Sequence, residues 1–142
     1  MRASYTRLYV HLIWGTWDRL PLITPAIEPR LYAAMAEKCR QLKCIPLAIG
    51  GMEDHVHLLV RLHTTIPVAT LAKEVKGASS HLVTHEIRPG EFFKWQGAYG
   101  ALTLAERGVA RLKAYIENQK QHHAARDLQN VWEQVEEDVD ER

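Results

Sequence analysis

Apolar positions along this chain recur with two different periods, and the switches between them predict the order of its elements. Ser4–Trp14 is crowded with Tyr, Val, Ile, Leu and Trp and reads as a strand, ended by the turn-rich stretch Gly15–Pro21. Thr24-Pro25 supplies an N-cap and a first-turn proline, after which Ile27, Leu31, Ala34, Met35 and Leu42 recur at helical spacing. Cys44–Ile49 is a second short apolar run, Gly50–Asp54 reads as a turn, and His55–Leu62 as a third β-type segment. So short a connection predicts an antiparallel hairpin. Pro67 opens a second helix with Val68, Leu71, Ala72, Val75, Leu82 and Val83 on one stripe and Thr70, Lys73, Lys76 and Ser80 largely opposite. Gly77 interrupts that helix at about 1 kcal/mol relative to alanine, which points to a close approach of another group or to tight helix packing. Arg88–Glu91 is a loop and Ala98–Leu104 a fourth strand. Thr103-Leu-Ala-Glu106 then matches a capping box, and a third helix runs through Val109, Leu112 and Ile116 to about Ala125.

The resulting order, β-α-β-β-α-β-α, predicts an α+β fold: a ferredoxin-like (RRM-like) antiparallel sheet backed by helices, with an additional C-terminal helix. A length of 142 residues, 46% of them hydrophobic, suits one compact domain. We place it at 1–126, followed by an acidic C-terminal extension at 127–142. The longest apolar stretches are about one strand long, far short of the roughly 20 residues of a membrane span, and Met-Arg-Ala-Ser-Tyr lacks the apolar centre of a secretory signal. A cytoplasmic protein with no membrane partner is expected. Cys39 and Cys44 form no Cys-x-x-Cys pair and read as buried free thiols. The net charge of +1 conceals an uneven distribution, since residues 133–142 hold six acids against Arg142 alone. Residues 1–132 therefore carry 17 Lys and Arg against 11 Asp and Glu, a basic body that suits a polyanion.

The candidate chemistry starts at His55-Val56-His57. A strand alternates faces with period 2, so both imidazoles project from one side of the sheet, where they can share a divalent metal or simply make a polar strand face. On the third helix Tyr115 and Gln119 are four residues apart and stack on one face, beside the apolar line of Val109, Leu112 and Ile116. A buried glutamine needs hydrogen-bond partners, and its amide oxygen can also complete a metal site begun by two imidazoles. A phenol of ordinary pKa near 10 is a poor nucleophile at neutral pH. A phosphodiester in turn repels an attacking anion until a cation takes up the charge on its oxygens. Attack by tyrosine keeps the bond energy in a phosphotyrosyl ester, so a second strand hydroxyl can rejoin the DNA.

His63 lies six residues after His57 and does not fit a His-x-His-x-His pattern, because Leu59 stands at the third position. His81 and His85 lack the glutamate of a zincin arrangement and read as surface or interface residues. His122 and His123 diverge by about 100° on a helix and read as an exposed polar pair. His11 reads as a core histidine. Arg61, Lys73, Lys76, Lys94, Arg111 and Lys113 are candidate phosphate contacts, and Trp17, Trp95 and Tyr99 could stack unpaired bases.

Taken together these blocks resemble the HUH single-tyrosine transposases of the insertion-sequence 200/605 group, including those associated with repetitive extragenic palindromes. The resemblance spans Tyr5 to His123: Tyr9-Val-His-Leu-Ile-Trp14, Gly50-Gly-Met-Glu-Asp-His-Val-His-Leu-Leu59, Lys76-Gly-Ala-Ser-Ser80, Trp95-Gln-Gly-Ala-Tyr-Gly100, and Tyr115-Ile-Glu-Asn-Gln119 followed by His122-His123. It implies Mg²⁺ or Mn²⁺ held by His55, His57 and Gln119, with Tyr115 on the C-terminal helix attacking hairpin-marked single-stranded DNA to form a 5′-phosphotyrosyl intermediate. It also implies a homodimer whose active sites combine the histidine pair of one subunit with the tyrosine helix of the other. Trp14-Gly-Thr-Trp17 followed by Asp18-Arg19 departs from the commoner Ser-Thr-Lys-Tyr/Asn-Arg form, and the acidic extension has no counterpart in the motif. Two alternatives are an inactive or domesticated hairpin-binding protein and a replication-initiator nickase using the same chemistry.

Overall fold

Alternate residues of the first strand serve two different layers. A computed structural model describes residues 2–137. In it β1 (Tyr9–Gly15) is buried along its whole length, sending Val10, Leu12 and Trp14 to one side and Tyr9, His11 and Ile13 to the other. β1 pairs antiparallel with β3 (His55–Arg61) and β4 (Gly100–Leu104), and β2 (Ile45–Met52) pairs antiparallel with β3. The order is β2-β3-β1-β4, that of a ferredoxin-like sheet. Val10, Leu12, Trp14, Val56, Leu58 and Val60 meet α1 (Glu28–Gln41) and α2 (Val68–Leu82) through Leu31, Met35, Cys39, Leu71 and Val75. On the opposite face Ala48 and Leu59 meet Leu112, Tyr115 and Ile116 of α3 (Val109–Glu117). Helices thus cover both faces, which is why the strands read as near-continuous apolar runs. Cys39 and Cys44 are free and buried.

Several boundaries differ from the sequence expectation. Gly50 and Gly51 are strand residues rather than a turn: they pair with His57 and Val56, and only Glu53-Asp54 turns the hairpin. The reason is space. A Cβ on Gly50 would collide with the Ile116 carbonyl, and one on Gly51 with the His55 carbonyl, so both glycines mark close backbone approach inside the sheet. α1 begins at Glu28, not at Thr24-Pro25, with Pro29 in its first turn and the Thr24 carbonyl accepting from the amides of Ile27 and Glu28. The Thr103–Glu106 capping box does not form, because Thr103 is held in the β1–β4 ladder opposite Val10. A single-turn 3₁₀ segment over Glu106–Gly108 leads into α3 instead. The third predicted helix is two: α3 ends at Glu117, Asn118 leaves the helical conformation, and α4 runs Gln119–Ala125. A Cβ on Gly77 would meet no atom within 4 Å, so neither close approach nor tight packing accounts for that glycine.

Beyond α4 the chain returns across the α3 face through α5 (Asn130–Glu133) to the edge of β4, where the Gln134 carbonyl lies against Gly100. Residues 138–142 of the acidic extension, with Asp138, Asp140 and Glu141, lie outside the described residues. Among the described residues no helix is long and apolar enough to cross a membrane.

Candidate active site and metal centre

The site is built where β3 meets the α3–α4 junction. His55 sits between Gly15 and Met52 in the sheet, and His57 between Ile13 and Gly50. Because Gly50 carries no side chain, the end of α3 settles directly on the sheet next to His57, and this brings Tyr115 and Gln119 down to the histidines. The His55 and His57 rings are 5.2 Å apart, the His57 and Tyr115 rings 6.0 Å, and Gln119 Oε1 is 3.1 Å from His55 Nε2. His55, His57, Tyr115 and Gln119 are all buried, so the four residues named from spacing and resemblance converge within a single chain.

A fifth group stands among them that the sequence reading left unassigned. Glu133, from the acidic extension, places Oε1 3.2 Å from His55 Nε2 and Oε2 3.0 Å from His57 Nε2. The Tyr115 hydroxyl donates to the same Oε2 at 2.6 Å and accepts from the Gln129 amide at 3.1 Å. Trp132 packs edge-on against the Tyr115 ring at 4.8 Å and anchors this return. The one sequence signal for it is Trp132, the single aromatic residue after Tyr115, in a stretch dominated by polar and acidic residues. The adjacent His122 and His123 are not an exposed pair. Their divergence puts His122 flat against the Tyr115 ring at 4.7 Å and His123 beside His55, with Nε2 3.0 Å from Gln119 Oε1. Both are partly buried.

The surroundings set each group's charge. Burial works against protonating His55, but the Asp54 and Glu133 carboxylates outweigh it and push the imidazole up to about 9. Asp54 Oδ1 accepts from His55 Nδ1 at 2.8 Å, and its other oxygen takes the Arg19 Nε at 3.3 Å, which orients the ring with Nε2 inward. Burial, with His55 adding repulsion, lowers His57 despite Glu133. His11 falls to about 3, through burial and the neighbouring His57. Burial alone would raise Glu133, yet its contacts with the two histidines hold it well below the usual carboxylate range. Tyr115 is pushed up to about 12, by burial first and by the Glu133 hydrogen bond second, so the phenol is protonated at neutral pH.

The donor atoms of His55, His57 and Glu133 lie within 4.8 Å of one another. His57 Nε2 is buried and makes no hydrogen bond among the described residues, although a carboxylate oxygen is 3.0 Å away. Two imidazole nitrogens, the Glu133 carboxylate and the Gln119 amide oxygen thus converge in a donor set that fits a divalent cation with nitrogen and oxygen preferences.

The predicted basic contacts fall into different settings. Arg111 and Lys113 lie exposed on α3, in the layer that carries the site, with the Arg111 guanidinium 5.3 Å from the Trp132 ring centroid and Lys113 near Glu117. Arg61 is on the same sheet face four residues beyond His57 and donates to the Thr6 carbonyl. Lys94 is exposed and rests 4.0 Å over the ring of Trp17, itself 46% exposed. Lys73 is exposed on α2, behind the sheet. Lys76 is half-buried and donates to the carbonyls of Gln96 and Ala98 at 2.8 and 3.1 Å, so it holds a loop. Trp95 is buried against Trp14 and Phe93 with its indole N–H on Ser79, a core residue. His81 and His85 stack on each other at 3.9 Å away from the site, and His63 bonds to Thr65.

The family profile described as "Transposase IS200 like" matches residues 4–119. A solved structure of a candidate transposase from Deinococcus radiodurans R1 is 28% identical with a TM-score of 0.65, over 84% of this chain and 95% of that one. A REP-associated tyrosine transposase bound to a REP hairpin shares the fold at a TM-score of 0.62 and 17% identity, over 87% of this chain and 73% of that one. No curated protein matches.

Proposed function

The chain belongs to the IS200-like transposase family, and from that premise we propose that it cleaves and rejoins single-stranded DNA at hairpin-marked element ends, with Tyr115 as nucleophile. The observation that carries the reading is the meeting of the Tyr115 hydroxyl, the two imidazoles, the Gln119 amide and a carboxylate in one buried cluster. A structural neighbour bound to a hairpin supports the choice of substrate.

In the proposed reaction the Tyr115 oxygen attacks the scissile phosphorus, a phosphotyrosyl bond forms, and the bond to the 3′ oxygen breaks. This leaves a 5′-phosphotyrosyl strand and a free 3′ hydroxyl. A 3′ hydroxyl then attacks the same phosphorus, releasing Tyr115 and restoring a phosphodiester. The phenol starts protonated and donates its existing 2.6 Å hydrogen bond to Glu133 Oε2, which holds the oxygen in place; over the whole step one proton moves from the phenol to the leaving 3′ oxygen. His55, His57 and Gln119 would hold Mg²⁺ or Mn²⁺, with Glu133 offering a further oxygen. When bound, the cation supplies a Lewis acid for a non-bridging phosphate oxygen. Asp54 orients His55, and Trp132 with His122 confines the phenol ring. The homodimer with shared sites implied by the resemblance is part of this proposal, as is action in the cytoplasm. Within one chain the tyrosine lies beside its own histidines.

The test is an end-labelled hairpin oligonucleotide incubated with the full chain and Mn²⁺ and resolved on a denaturing gel. Wild type forms a covalent adduct. Tyr115→Phe binds the hairpin but forms none, and His57→Ala loses the cation-dependent cleavage. An adduct with Tyr115→Phe overturns the nucleophile assignment. Tight binding with no adduct in wild type favours a hairpin-binding module instead.

A further inference from the structure

His11 is completely buried in the middle of β1, between the apolar Val10 and Leu12, and the reaction above gives it no part. Its single side-chain partner among the described residues is His57: Nε2 of His11 is 2.9 Å from Nδ1 of His57. The ring centroids are 5.1 Å apart with 17° between the planes, too far for face-to-face contact and right for two rings meeting edge to edge in nearly one plane. The sheet sets this alignment, since His11 pairs with Leu59 and is the diagonal same-face neighbour of His57 across β1 and β3. The other nitrogen, His11 Nδ1, is buried with no hydrogen bond among the described residues. A polar ring with one satisfied edge is a poor packing residue in that position, and the satisfied edge points at the metal-site histidine.

We propose that His11 is a positioning residue for the metal centre: it accepts the Nδ1 proton of His57 and so fixes the tautomer and ring plane that present His57 Nε2 to a divalent cation. The inference rests on the reading above, in which His57 is a ligand. A single proton lies between the two rings. For His57 Nε2 to keep its lone pair for a cation, the proton of the neutral ring must be on Nδ1, and His11 Nε2 must then accept it. His11's own proton is thereby placed on its Nδ1. Without a cation the order reverses, with His11 Nε2 donating and His57 Nε2–H facing Glu133 Oε2 at 3.0 Å. A neutral imidazole serves both arrangements, an aliphatic or phenyl side chain neither.

Titration calorimetry of the full chain with MnCl₂ tests this without reference to DNA cleavage. His11→Phe keeps a flat ring, somewhat larger than imidazole, and removes the acceptor, so the dissociation constant for Mn²⁺ rises roughly 10- to 100-fold, the loss typical of an outer-shell partner. His11→Gln, which offers an amide oxygen near the position of Nε2, restores most of that affinity. A folded His11→Phe protein that binds Mn²⁺ as wild type does overturns the role of His11. Wild type that binds no Mn²⁺ removes the metal reading itself, which is a separate outcome. Should His11→Phe fail to fold, ¹⁵N-histidine spectra of wild type loaded with Mg²⁺ decide: a protonated His57 Nδ1 facing a bare His11 Nε2 is expected, and a bare His57 Nδ1 overturns the assignment.

Discussion

At the scale of single residues the site is a balance of charges that titrate in opposite directions. His55, pushed up to about 9, stabilises the cation-free fold below pH 6.5 and loses that contribution as pH rises from 6.5 through 9. His11, lowered to about 3, with His57 and His123 also lowered, acts in the opposite sense. Unfolding lets these rings take up protons, so their contribution is present above pH 6.5 and is lost as pH falls below it. The thermal midpoint in a chelator is therefore expected to peak near pH 6.5 and to decline on both sides, and a midpoint climbing steadily from pH 6 to 9 would contradict the assignment. Glu133 is expected to bear directly on Tyr115, the proposed nucleophile. In Glu133→Gln the phenol loses an anionic hydrogen-bond acceptor and its pKa drops from about 12, while burial still holds it above that of free tyrosine. ¹³Cζ tyrosine spectra followed against pH measure this, and an unmoved Tyr115 would remove Glu133 as its partner.

At the scale of elements, the decisive contact is α3 on β2. The absent side chain of Gly50 lets the Ile116 carbonyl reach the sheet, and the register of β2 on β3 puts that gap beside His57. In Gly50→Ala the added methyl has to push the end of α3 outward. Overpacking of this kind costs about 1–3 kcal/mol, and a displacement near 1 Å at a reacting group costs on the order of a hundredfold in rate. Adduct formation is thus expected to fall far more than folding does, read by gel and by thermal melt on one preparation. Wild-type adduct yield in Gly50→Ala would show that the seating of α3 does not set the tyrosine's position. The expected single helix over Val109–Ala125 breaks at Asn118, yet Tyr115 and Gln119 still reach one site. The break leaves Gln119 as the first residue of α4, pointing inward at His55 and His123.

At the scale of the molecule, charge is sorted by layer. Arg111 and Lys113 share the α3 layer with the site, Lys73 lies on the far side of the sheet, and Lys76 is tied to loop carbonyls. Hairpin affinity should therefore weaken with salt, and each phosphate contact removed lowers the salt slope by about one. Arg111→Gln and Lys113→Gln are expected to lower it, and Lys73→Gln to leave it unchanged. Fluorescence anisotropy across a salt series measures these slopes, and a Lys73→Gln slope that falls as far as the other two would place the DNA on the wrong face. Part of the acidic extension is tied to the body of the protein: Glu133 enters the site, and the exposed Glu136 accepts from the Gln96 side-chain amide.

The residue order alone determined whatever depends on neighbours close along the chain. Strand period put His55 and His57 on one face, helical spacing put Tyr115 four residues from Gln119, and the alternation of the two periods predicted a ferredoxin-like order that the sheet displays. These patterns are legible because backbone sterics repeat every 2 or 3.6 residues whatever the rest of the chain does. Tertiary structure decided the remainder: that Gly50 and Gly51 are strand rather than turn, that His11 meets His57 edge to edge across two strands, and that Glu133 closes on the histidines from an apparently idle end. Each of those depends on register and layer packing between segments far apart in sequence, and short-range periodicity carries no record of which distant backbone will need the space or which distant side chain will fill it.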